Sequence, residues 1–111
     1  MRKYSYLEIM IHRPCRNPIR HFGNDKNWVG TALDILKIKS MPAKDKMWLV
    51  YRLDVLNNLG KLAFIHKFGD KDADRRPGYD SIDDQVFLAV NTTDNKKASR
   101  QVKWLLERND V

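Results

Sequence analysis

A single cysteine, two glutamates and no apolar run longer than five residues set the first limits on this 111-residue chain. Cys15 alone rules out an intramolecular disulfide, so the fold has to hold through packing. The run Met47–Tyr51 falls far short of the ~20 residues that cross a bilayer, which excludes a membrane-spanning helix there. No apolar stretch follows Arg2 and Lys3 as a signal peptide would require, and the expected compartment is cytoplasmic. Neither a G-x-S-x-G elbow nor a phosphate-binding P-loop occurs, so two common motif-borne routes to catalysis are missing.

Cations are plentiful: 21 Lys and Arg stand against 14 Asp and Glu, a formal net charge of +7. They are unevenly spread. No acid interrupts the stretch between Glu8 and Asp25, which carries Arg13, Arg16 and Arg20, whereas six aspartates crowd the segment from Asp70 to Asp84. Because three cations share that segment, the rest of the chain carries +10. Such a field draws in anionic partners without saying which anion, since phosphate backbones and acidic protein faces look alike at long range. At 42% hydrophobic residues, with three Trp, four Tyr and four Phe, the chain has the composition of one ordered domain over 1–111.

Periodicity predicts a mostly α fold, a compact bundle of four to five helices with a short N-terminal β-strand or extended segment. Lys3 to His12 reads as a strand, and RPCRNPIR, bracketed by Pro14 and Pro18, as a basic arm completing residues 1–23. A helical core then fills 24–111. Trp28, Ala32, Ile35 and Leu36 recur at helical spacing and predict a helix over about 25–38, with Gly30 as a cost or a close approach. Ser40 and Pro42 announce a second helix to about Leu59. Within it MWLVY suits either a helix buried all round or a strand; length favours the helix, and the alternative is a hairpin turning at Asn57, Asn58 and Gly60 into LAFIHKF. Lys61–Phe68 forms a short helix, GDKDADRRPGYD a polar loop, and Ser81 with Asp84 opens a helix to Asn91. Thr92 or Thr93 caps the last helix, where Ala98, Val102, Leu105 and Leu106 share one face and Lys96, Arg100 and Lys103 another.

Three chemistries fit the residues poorly. His12, Cys15 and His21 have the spacing H-x₂-C-x₅-H, which matches no strong zinc pattern, so no metal is assigned. Asp70, Asp72 and Asp74 imitate a calcium loop, but Arg75 and Ser81 stand where it needs glycine and glutamate. Cys15 lies among arginines that would lower its pKa, yet nothing orients His12 or His21 as its base, and a Cys/His-dependent enzyme is the third-ranked reading. No cofactor is implied. The last helix offers more: Trp104 falls nearly opposite the core stripe, flanked by Lys97, Gln101 and Arg108, and is either an aromatic anchor for a partner or covered by a second element. Trp28 and Trp48 fall on apolar faces and belong to the core.

Met41–Leu106, through PAKDKMWLVYR, LAFIHKF and the DSIDDQVFLAV helix, resembles a loosely defined group of small helical proteins from phages and bacterial mobile elements, some of them immunity-protein-like. That resemblance implies an all-helical partner-binding protein of a defence or counter-defence kind, an inhibitor being one such role, and brings no activity with it. The expected function is therefore non-enzymatic docking onto an anionic macromolecular partner, an acidic protein or nucleoprotein. Arg13, Arg16 and Arg20 in the arm, and Lys97, Arg100, Lys103, Trp104 and Arg108 on the last helix, are the expected contacts. The alternative is a nucleic-acid-binding protein that contacts phosphates with the same side chains.

Overall fold

A serine-capped turn sets the N-terminal architecture. The computed structural model describes residues 2–12, 18–69, 81–91 and 94–108. Strand β1 (Lys3–Ser5) runs directly into helix α1 (Tyr6–Ile11). At that junction the Ser5 hydroxyl accepts from the Glu8 amide at 3.2 Å, while a Glu8 carboxylate oxygen accepts from the Ser5 amide at 3.2 Å. This reciprocal cap satisfies two N–H groups that a helix start leaves free, which is why the strand expected over Lys3 to His12 stops after three residues.

The helix expected over 25–38 is also corrected. Strand β2 (Val29–Thr31) pairs antiparallel with β1, Tyr4 opposite Gly30, and only then does helix α2 (Ala32–Leu36) begin. Thr31 and Asp34 form a second reciprocal cap at its start. At Gly30 the Trp28 ring folds close over the strand: a Cβ would lie 2.5 Å from that ring, and glycine leaves the room for it. Ala32, Ile35 and Leu36 are buried as their spacing implies, whereas Trp28 is half-buried from the preceding loop, its ring 4.7 Å from that of Phe22. A 3-10 turn at Pro18–Phe22 occupies the end of the segment read as an arm; Arg13, Cys15 and Arg16 lie outside the described residues.

Helix α3 (Ala43–Arg52) is the centre of the molecule, and MWLVY is helical and not half of a hairpin. Met47 and Val50 enter one apolar cluster with Phe64, Val86, Ala98 and Leu105, while Leu49 enters a second with Tyr4, Tyr6, Ile9, Phe22 and Ile35. Two cores on opposite sides explain five apolar residues in succession. The helix ends at Arg52 and not near Leu59, because Asp54 takes a left-handed φ of 53° and its carboxylate is held by the Lys61 ammonium at 2.6 Å. Asn57 then accepts from the Gly60 amide at 2.8 Å and starts helix α4 (Asn58–Phe68), three residues earlier than expected. Lys61 also reaches Asp83 at 2.8 Å, tying this break to helix α5 (Ile82–Asn91), whose first turn is capped by the Ser81 hydroxyl accepting from the Asp84 amide. Helix α6 (Asn95–Leu106) is capped by Asp94; Thr92 and Thr93 lie outside the described residues.

The described residues thus form six α-helices and a two-stranded sheet; α2 to α6 answer the five helices expected along the chain, and the short α1 is the one added to them. Helix α6 packs chiefly on α3, and α4 on α5. The radius of gyration, 13.9 Å, is close to the ~13 Å of a compact domain of this length. No helix among the described residues is long and apolar enough to cross a membrane.

Candidate functional site

The twelve residues of α6 separate into two faces. Ala98, Gln101, Val102 and Leu105 are buried, spaced three and four apart as one side of a helix requires. Gln101 is fully buried and its side-chain amide donates to the Ala89 carbonyl at 3.1 Å, a polar pin between α5 and α6. Lys96, Arg100 and Lys103 form the opposite, exposed stripe. Asp94 begins the helix, its carboxylate accepting from the Lys97 amide at 2.8 Å.

Beside that N-terminal turn lies the end of α4. Gly69 is needed there, because a Cβ would run into the Ile65 carbonyl oxygen as the chain turns away. Between the two helix ends is a cleft of about 530 Å³, lined by Lys67, Phe68 and Gly69 on one side and Asp94, Lys96, Lys97 and Arg100 on the other. Among the described residues four cations face one carboxylate there, and that carboxylate already caps α6. Among the described residues no acid pairs with Lys67, Lys96, Lys97, Arg100 or Lys103; the ion pairs lie elsewhere, at Lys61 with Asp54 and Asp83, and at Arg2 with Glu8. Like charges held in one concavity repel one another, and an anion relieves that repulsion.

Trp104 forms the apolar floor next to this cleft. It is half-buried, with its ring centroid 5.7 Å from Phe68 and 5.9 Å from Phe64, both on α4, and the Arg108 guanidinium stands 4.6 Å above it. Helix α4 is the second element covering this side of α6. The indole therefore braces the helix pair and keeps the cleft wall at Phe68 in place.

Of the residues singled out from sequence, Lys97 and Arg100 line the cleft, Lys103 continues the exposed stripe one turn on, and Trp104 and Arg108 stack alongside. Arg20 is exposed in the 3-10 turn, which packs with the second apolar cluster, and it does not line the cleft. Arg13 and Arg16 lie outside the described residues. Lys67 and Phe68 were missed: a basic residue in the last turn of a helix is commonplace, and nothing local in LAFIHKF announces that this turn meets the start of α6.

The histidines have separate surroundings. His12 accepts from the Arg52 guanidinium at 3.3 Å, and burial together with that cation lowers its pKa. His21 is buried, with Nδ1 2.7 Å from the Ser40 hydroxyl and Nε2 without a partner among the described residues; burial, helped by Arg20, lowers its pKa while Asp45 opposes the shift. No group of three metal-binding side chains occurs among the described residues. Comparison with protein-family models, curated proteins and solved structures found no match to this chain.

Proposed function

We propose that the protein acts without chemistry, docking the α4–α6 cleft and the adjoining stripe of α6 onto an anionic macromolecular partner. The observation that carries this reading is that, among the described residues, four cations line one cleft with one carboxylate, and that carboxylate is engaged in a helix cap. A partner's acidic groups gain there what no described side chain supplies. The partner-binding role implied by the resemblance to small helical phage and mobile-element proteins is of the same kind.

Phosphate binding by the stripe Lys96, Arg100 and Lys103 is the second reading, favoured by its exposure along one side of α6. A helix-turn-helix reader is disfavoured because α6 packs chiefly on α3 and not on the preceding helix. Capture from lysate by the wild type and by K97E/R100E, with and without nuclease, tests both. A protein retained through nuclease treatment by the wild type and lost by the variant is the expected result. Equal capture by the variant would rule out the cleft, and loss of all captured material to nuclease would favour nucleic acid.

A further inference from the structure

Helix α4 is apolar on two sides. Phe64 is fully buried against the core, yet Leu59 is 77% and Leu62 50% exposed on the outer side. Single exposed leucines are ordinary, but these are neighbours on a helix surface at i and i+3. The row Leu59, Ala63, Lys67, spaced i, i+4 and i+8, leads from them along α4 to the cleft, where Lys67 is part of the wall. Eight residues of helix cover ~12 Å, so the apolar patch and the cation cluster lie within the reach of three turns of a partner helix.

We propose that the docking element of the partner is an acidic amphipathic helix, whose carboxylates enter the α4–α6 cleft while its apolar side chains cover Leu59 and Leu62. This rests on the docking function proposed above and narrows the partner to one chemistry. Charge complementarity selects acids for the Lys67, Lys96, Lys97 and Arg100 end. The leucine end selects against nucleic acid, because a phosphate backbone laid across it would leave two large apolar side chains uncovered or dehydrate its own charges over them. An amphipathic helix answers both surfaces at once, with apolar residues at i, i+3 and i+4 and acids on the adjoining flank.

The experiment titrates four probes at ~50 mM salt, where charge contacts are strong: a synthetic helical peptide with leucines on one face and glutamates on the next, a peptide of the same composition with its leucines scattered, polyglutamate, and a single-stranded oligonucleotide. Each is measured against the wild type, K97E/R100E and L59S/L62S, with circular dichroism to show that the variants stay folded. The amphipathic peptide is expected to bind about tenfold tighter than its scrambled form, and to lose about tenfold on either double substitution. Equal binding of the two peptides, no effect of L59S/L62S on the amphipathic peptide, or tighter binding of the oligonucleotide would each overturn the inference. If polyglutamate then still binds the wild type and is lost by K97E/R100E, anionic docking itself stands; if no probe binds, both fall.

Discussion

Phe64 is where fold and site meet, and truncating it has a calculable cost. The side chain is fully buried in the cluster formed by α3 to α6, its ring 5.2 Å from Phe68 and 5.9 Å from Trp104. Phe64→Ala removes the ring and leaves a cavity, for which buried phenylalanines lose about 3–5 kcal/mol. Phe64→Leu keeps most of the volume but forfeits two ring contacts, each worth about 0.5–1.5 kcal/mol, so a loss of roughly 2 kcal/mol is expected. Against a total stability of about 5–15 kcal/mol for a domain of this class, the alanine variant lies near the edge of folding and the leucine variant is comfortably folded. Urea unfolding followed by circular dichroism gives both values. In the folded leucine variant Trp104 fluorescence should shift to the red, because the wall that half covers the indole is loosened. A loss below about 1 kcal/mol for Phe64→Ala would refute the packing described between α4 and α6.

Other expectations follow from single contacts. Asp94→Ala removes the cap of α6 and should cost about 1 kcal/mol in urea unfolding, while raising affinity for polyglutamate because a carboxylate that lines the cleft is lost. Gly30→Ala forces a methyl group into the Trp28 ring and should destabilise by about 1–3 kcal/mol, visible as an early thermal transition. His21 has a folded pKa below its unfolded value, so the unfolded chain takes up the proton first; stability is full above about pH 6.5 and falls on acidification toward the folded pKa. Substituting glutamine should flatten this slope, with His12 supplying the remainder, and an unchanged slope would exclude His21 as a source. K97E/R100E should leave unfolding in urea nearly unchanged, since both side chains are exposed.

Helical class and the central position of MWLVY were legible because a helix with two cores needs apolar residues all round, and five in a row meet that need. The last helix was legible for the opposite reason, a clear separation of buried and charged positions at 100° per residue. Boundaries failed where side chains decide them. Ser5 with Glu8, and Thr31 with Asp34, carry the cap spacing in plain view, but alternating β-formers in one case and a chance helical spacing of Trp28 with Ala32 in the other outweighed it. The early end of α3 could not be read, since the left-handed turn at Asp54 is tied to Lys61, which lies on the next helix and donates to the Asp54 carboxylate. Half of the cleft was visible as basic residues on α6. Its other half, Lys67 and Phe68, arises from the way α4 lies beside α6, and that is a property of tertiary packing.

The most direct measurement is a nitrogen–proton chemical-shift titration of the labelled protein with polyglutamate. Shifts should concentrate at Lys67–Gly69 and Asp94–Arg100, the two walls of the cleft, and shrink with added salt. Shifts spread evenly over the basic surface, or centred on Arg20 with the cleft unmoved, would contradict the assignment of anion docking to this site.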